Sequence, residues 1–245
     1  MLHYLQVGNN NNSKTLLFIH GSGCNLKVFG ELQKYLEDYN CILIDLNGHG
    51  ESEGQCSSTV YGYIDTVTDF IQNSEITKNQ EDITLIGYSM GSTIALGISL
   101  KKLPNIKRIV SLSGGAKFKL NSEFLKKIYH NQIDLNYLLQ CTGDMTNPLC
   151  KKYLGTFESD PEIMINDLIA CDIINLVPEL KNIDIPALAI VAKDEQIALV
   201  EYSEIINRKV PNSELKVFEK GKHFLLVVEA QKVANEIIEF ILNKQ

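Results

Sequence analysis

Seven short apolar runs punctuate the chain: LHYLQV (2–7), TLLFI (15–19), CILID (41–45), ITLIGY (83–88), RIVSL (108–112), ALAIV (187–191) and LKVF (215–218). Most are continuous rather than alternating, the pattern of strands buried on both faces. Between them lie stretches with helical spacing: NLKVFGELQKYLEDY (25–39), Thr59 to Ser74, MGSTIALGISLKK (90–102) and EAQKVANEIIEFILNK (229–244). Strands of this kind alternating with amphipathic helices predict an α/β fold, with a mainly parallel sheet of about seven strands covered by helices on both faces. NNNNSK (9–14) reads as a polar turn between the first two strands.

The alternation breaks between Gly114 and about Leu180, where no strand pattern occurs. Short helical pieces take its place: EFLKKIYH (123–130), DLNYLLQ (134–140), NPLCKKYLG (147–155) and PEIMINDLIACDIINLV (161–177). Their apolar faces, carried by Phe124, Leu125 and Ile128 and by Ile163, Ile165, Leu168 and Ile169, need something to cover. An insertion of that size after a strand's C-terminal end predicts a helical cap (114–180) on a core formed by 1–113 and 181–245.

Composition narrows the functional classes. A chain of 245 residues suits one domain with such an insertion, and its net charge of -7 argues against nucleic acid or an anionic membrane surface as the main partner. The N-terminal MLHYLQVGNNNN has no basic region followed by an apolar one, and no apolar run approaches the roughly 18 residues of a membrane span. Six scattered cysteines (Cys24, Cys41, Cys56, Cys141, Cys150, Cys171) form no C-x-x-C pair, which fits free thiols in a reducing cytoplasm. The expectation is a cytoplasmic protein without stable membrane association; the sequence leaves its oligomeric state open.

The chemistry centres on LIGYSMGST (85–93). A serine on a tight strand-to-helix turn is pushed out at the top of the sheet, and side chains two residues either side would strike the neighbouring strand and helix. Gly87 and Gly91 therefore flank Ser89 as small residues. The helix starting at Met90 directs its N-terminal dipole toward that serine. A nucleophilic serine needs a base, and the base an orienting acid. His223 in EKGKHF follows the last strand and lies in a loop at a strand's C-terminal end, whereas His3 and His130 are incidental. Asp194 in VAKDE follows ALAIV and is the expected acid, with Glu195 the alternative; the loop SGGAKFK after RIVSL offers no carboxylate. In FIHGSGCN (18–25) the N–H of Ser22 joins that of Met90 as an expected oxyanion donor, with His20 and Gly21 in structural roles. His49, in the glycine-rich DLNGHGES (45–52), is likewise read as structural. No cluster has metal-ligand spacing and no G-x-G-x-x-G follows the first strand, so neither metal nor cofactor is expected.

HGSG, D-x-x-G-H-G-x-S, G-Y-S-M-G, a late aspartate and a final histidine, spread from about Thr15 to Phe224, resemble the alpha/beta-hydrolase superfamily, small capped carboxylesterases and monoacylglycerol-lipase-like enzymes among them. The resemblance implies Ser89 as nucleophile, His223 as base and then acid, Asp194 as its partner, and Ser22 and Met90 as oxyanion donors. It implies a carboxylic ester hydrolase working through an acyl-enzyme, and the small size of the cap (114–180), which cannot enclose a long chain, predicts short-to-medium acyl esters as substrates. Thioesters, amides, carbon–carbon bonds, acyl transfer or a silent ligand-binding role are the alternatives on the same fold. Three features depart from the family pattern. A single strand, LHYLQV, precedes the one that enters the HG loop, where many relatives have a hairpin. The acid loop, with Ala192 and Ala198, has neither the glycine nor the proline of the pattern G-x-x-D-x-x-x-P. Ser92 replaces a second glycine after the elbow.

Overall fold

A computed structural model describes residues 1–119, 126–127, 140–157 and 160–244. All seven apolar runs form strands: β1 (Tyr4–Gly8), β2 (Lys14–Ile19), β3 (Asn40–Ile44), β4 (Asp82–Tyr88), β5 (Ile106–Leu112), β6 (Ala187–Ala192) and β7 (Ser213–Phe218). They make one sheet in the order β1-β3-β2-β4-β5-β6-β7. The edge strand β1 runs antiparallel to β3, and every other pairing is parallel. The parallel majority sends the C-terminal ends of β2 to β7 to the same edge.

Helices α1 (Val60–Asn73), α2 (Met90–Ser99) and α5 (Val200–Lys209) join one apolar cluster, with Tyr63, Val67, Ile94 and Ile206 against Leu17, Leu85 and Ile109. Helix α7 (Ala230–Asn243) joins the other, with Val233, Ile237 and Ile241 beside Phe18, Ile86 and Leu188. Each face of the sheet is thus covered, as continuous apolar strands require. Arg108, a charge inside buried β5, is satisfied by Thr84, by the Lys244 carbonyl and by an ion pair with Asp82.

The segment 25–39 departs from its helical expectation. It forms two single 3₁₀ turns, Leu26–Phe29 and Leu32–Tyr35. Asn25 caps the first by accepting from the Lys27 N–H, and Gly30 closes it by donating to the Lys27 carbonyl. Gly30 also lies so near Tyr153 that a Cβ there would sit 2.9 Å from its hydroxyl, so the break lets the inserted segment pack closely.

Between Gly114 and Leu180 the described residues include α3 (Pro148–Leu154) and α4 (Pro161–Ile173). Both start in the way their sequences dictate: proline in the first turn, behind an Asn147 or Asp160 side chain that accepts a backbone N–H. The helical pieces expected at 123–130 and 134–140, with Phe124, Leu125, Ile128 and His130, lie outside the described residues apart from Lys126, Lys127 and Gln140. Helix α4 is not seated as its apolar spacing suggested. Ile163, Ile165, Leu168 and Ile169 are only half-buried, and its buried side chains are Asp167, Ala170 and Cys171. Isolated bridges pair Cys24 with Phe157 and Lys117 with Asn175, fastening the segment to the core. A short helix, α6 (Leu225–Val228), follows β7 and its loop. Among the described residues no helix is long and apolar enough to cross a membrane.

Glu31 is a second fastening. Its carboxylate meets Lys34 at 2.7 Å, Lys152 at 3.1 Å and the Tyr153 hydroxyl at 3.0 Å, joining α3 to the turn beneath it. The bond from Lys34 is the main cause holding its pKa down at about 2, against the opposing effect of burial. A lowered carboxyl pKa contributes stability that is complete above the unfolded value and is lost as pH falls through the folded one. Glu31→Gln is therefore expected to lower stability by roughly 1–2 kcal/mol at pH 7. The difference from wild type should close as pH falls from the ordinary carboxyl value toward about 2. Denaturant unfolding of both proteins across that pH range measures it.

Candidate active site

β4 runs directly into α2 through Ser89, whose backbone stands at φ 53 and ψ -119. That conformation is strained for a residue with a Cβ. The neighbours hold it there. A Cβ on Gly87 would collide with the Gly91 carbonyl, and one on Gly91 with the carbonyl oxygen of Ile19 at the end of β2. The Ser89 N–H donates to the Leu112 carbonyl at 2.9 Å, tying the turn to β5. Ser92 is accommodated by pairing its buried hydroxyl with that of Ser111 at 2.5 Å.

His223 follows β7 on a loop where Gly221 has φ 148 and Lys222 φ 48. Its ring is nearly buried and lies 5.0 Å from the Tyr88 ring at a tilt of 41°. Nδ1 meets Glu195 Oε2 at 2.9 Å. The other oxygen, Oε1, accepts the N–H groups of Gln196, Ile197 and Ala198 at 2.9, 2.8 and 3.2 Å. Burial works against ionising Glu195. His223 and these N–H groups outweigh it and hold the carboxyl below its ordinary pKa.

The expected contact between Asp194 and His223 is not made. Asp194 instead accepts the backbone N–H groups of Gly221 and Lys222, both at 2.9 Å, so it braces the loop that carries the histidine. Leaving β6, residue 194 meets this loop's backbone and residue 195 its imidazole. The sequence held a signal for this: in G-x-x-D counted from Ala192, the acidic position is 195. The alanine at 198 also matters, because a proline there would lack the N–H that Ala198 gives to Glu195.

Ser22, Ser89 and His223 line one cavity of about 80 Å³ together with Phe157, Met164 and Leu168. Gly21 lies against the serine, since a Cβ there would be 2.8 Å from Ser89 Cβ. The Ser22 hydroxyl reaches the Met90 sulfur at 3.6 Å, so the HG loop and the start of α2 are adjacent. With Nδ1 committed to Glu195, the ring nitrogen of His223 left for another partner is Nε2. Ser89 and a histidine braced by a carboxylate thus share one cavity.

The other described histidines, His3, His20 and His49, have structural partners. His20 is fully buried, accepts the Leu46 N–H on Nε2 at 2.9 Å and reaches the Gly21 carbonyl through Nδ1, also at 2.9 Å. Burial, and then the neighbouring His49, lower its pKa to about 4. His3 pairs with Asp45 at 2.8 Å. His49 Nε2 meets Asp167 Oδ2 at 2.8 Å inside the protein. Asp167, which nothing in its own neighbourhood of sequence singles out, also accepts the Tyr63 hydroxyl at 2.6 Å and the Gly23 N–H at 2.9 Å. Burial first, and then the Asp167 charge, push the Tyr63 phenol far above its ordinary pKa, so it remains a donor.

The sheet, the strained serine turn and the loops on one edge define the class. The chain belongs to the alpha/beta hydrolase fold family, whose model matches residues 14–168. It is 69% identical to a lipase-esterase related protein of Clostridium acetobutylicum, over 98% of this chain and 99% of that one, with a TM-score of 0.96. A pimeloyl-[acyl-carrier protein] methyl ester esterase of Vibrio cholerae is 20% identical over 98% of both chains. A 2-succinyl-6-hydroxy-2,4-cyclohexadiene-1-carboxylate synthase of Escherichia coli is 30% identical over 152 residues, 62% of this chain and 56% of its own.

Glu195→Gln is expected to lower kcat for ester hydrolysis by roughly 10³-fold or more, because a neutral amide neither fixes the tautomer of His223 nor steadies its cation. Asp194→Asn removes no group that touches the ring. It should leave kcat within about tenfold and lower stability by about 1–2 kcal/mol through the two weakened N–H bonds. Steady-state kinetics and thermal unfolding of both variants give the comparison.

Proposed function

We propose that the chain is a serine-dependent hydrolase of carboxylic esters. The observation that carries the reading is the convergence of the strained Ser89 and the Glu195-held His223 on one cavity. The Ser89 oxygen attacks the ester carbonyl while its proton passes to His223 Nε2. The negative charge that develops on the carbonyl oxygen is met by the N–H groups of Ser22 and Met90 at the start of α2. Collapse of that intermediate expels the alcohol, which takes the proton from His223. Water then repeats the sequence on the acyl-enzyme and releases the acid. The esterase-named relatives support this choice of bond.

The segment 114–180 acts as a cap whose apolar side chains set the acyl preference. The cavity beside Ser89 is small, about 80 Å³. Its walls, Phe157, Met164, Leu168 and Ile197, are apolar. A short acyl group fills such a space, and each methylene it buries contributes roughly 0.8 kcal/mol until the walls are met. Buried thiols at Cys41, Cys141, Cys150 and Cys171 fit a reducing cytoplasm as the place where it works.

Ser89→Ala removes the attacking atom, so it should abolish turnover of a short-chain p-nitrophenyl ester by several orders of magnitude in a folded protein. If a tenth of wild-type kcat survived, a loss of only ~1.4 kcal/mol, Ser89 would not be the nucleophile. Across p-nitrophenyl esters from acetate to palmitate, kcat/KM should climb over the first few carbons and then fall. A flat profile or a maximum at palmitate would contradict the cap's role.

A further inference from the structure

Helix α4 does two things at once. Met164 and Leu168 line the cavity beside Ser89, and between them in the chain the buried Asp167 accepts the N–H of Gly23 at 2.9 Å. Gly23 follows Ser22, the oxyanion donor of the proposed hydrolase, and any role of Asp167 in catalysis rests on that reading. The loop is clamped on both sides of Ser22. On one side, a Cβ at Gly21 would lie 2.8 Å from Ser89 Cβ; on the other, a Cβ at Gly23, whose φ is +61, would lie 2.8 Å from Met164 Cβ. The loop thus has backbone-level contact with the nucleophile at one end and with α4 at the other, and the Asp167 bond sets the second contact.

The geometry points to Asp167 as a positioning residue: by holding Gly23, it places the Ser22 N–H at the oxyanion, so the oxyanion site is complete only when α4 is seated. Its carboxylate is itself held. Oδ1 accepts the Tyr63 hydroxyl at 2.6 Å, and Oδ2 meets His49 Nε2 at 2.8 Å beside the Gly23 bond. The carboxylate is fully buried, and these donors offset the cost of burying it. Tyr63 belongs to α1 and His49 to the loop after β3, so the core fixes Asp167 and Asp167 fixes the loop. Asn at this position keeps the volume but gives only one good acceptor oxygen, and its amide turns a donor toward either Gly23 or Tyr63.

The test compares full-length wild type, Asp167→Asn, Tyr63→Phe and Ser89→Ala. Each is read for Tm, for kcat and KM on p-nitrophenyl acetate and butyrate, and for inhibition by a short-chain trifluoromethyl ketone. That ketone forms a hemiketal: its carbonyl carbon bonds to the Ser89 oxygen, the serine proton goes to His223, and the carbonyl oxygen becomes the oxyanion. Losing a whole oxyanion donor costs about 10²–10³ in kcat, so a displaced one is expected to cost roughly tenfold or more. Asp167→Asn should lower kcat by that factor, weaken the ketone in parallel and leave KM within about twofold. Tyr63→Phe keeps both Oδ2 bonds and should move the same two quantities in the same direction by a smaller factor of about three. A merely structural role would lower Tm and leave kcat and ketone affinity of the folded fraction at wild-type values; that result in Asp167→Asn overturns the proposal. If Asp167→Asn does not fold, Tyr63→Phe decides alone, and unchanged kcat and ketone affinity in it overturn the proposal. Activity retained in Ser89→Ala would instead overturn the hydrolase reading, and the proposal with it. Loss there beside wild-type behaviour of Asp167→Asn overturns the positioning role only.

Discussion

The backbones of β2, β4 and α2 meet at the serine turn too closely for side chains. Gly91 packs on the Ile19 carbonyl, Gly87 on Gly91, and Gly21 on Ser89 itself. Such contact is possible only where the Cβ is missing, and it forces Ser89 into a conformation that a free chain would rarely visit. The strain is maintained because the elements around it are among the best buried in the molecule: β2, β4 and α2 carry Leu17, Phe18, Leu85, Ile86, Ile94 and Leu96 with no exposed surface. The sheet's hydrophobic core therefore fixes the serine's position, and every other loop at that edge is arranged around a point that cannot shift.

How much is legible in the sequence depends on the range of each interaction. The strands are, because burial on both faces leaves a continuous apolar run within a few residues. The serine turn is, because its steric demands fall on positions two residues either side of Ser89. The segment 25–39 reads as a helix and is not one, because Gly30, where the spacing stays helical, meets Tyr153 more than a hundred residues later. Asp167 leaves no trace, since its partners Gly23, His49 and Tyr63 lie 144, 118 and 104 residues away. Two adjacent carboxylates pose the hardest case. Asp194 and Glu195 occupy the same loop; beyond the spacing from Ala192, it is the path of the chain after β7 that lets the shorter side chain meet backbone and the longer one meet imidazole.

Three buried carboxylates organise the loops at the carboxyl edge in a common way. Asp45 accepts the N–H groups of Leu26 and Glu51 and pairs with His3. Asp167 combines the Gly23 N–H and the Tyr63 hydroxyl with His49, and Glu195 combines three backbone N–H groups with His223. Loops of this kind lack the ladder partners that satisfy backbone in a sheet, and an unpaired buried N–H costs as much as a lost hydrogen bond. A carboxylate has two oxygens that accept several N–H groups at once, so one side chain can order a whole irregular turn. The charge is costly to bury, and it is tolerated only with all of those donors in place. Each loop therefore has one conformation in which its acid is satisfied, which is a stronger constraint than apolar packing of the same residues would impose.

The same balance of burial and partners explains why the histidines divide as they do. His20 is enclosed, with both ring nitrogens on backbone groups and its pKa lowered to about 4, so it serves as a neutral strut. His49 is spent on Asp167. His223 alone has one nitrogen on a carboxylate that is ionised at neutral pH and a place on the wall of the serine's cavity. A base needs an opposite charge behind it and an open nitrogen in front. Among the described residues only this ring has both, while its neighbours at this edge hold the loops in place.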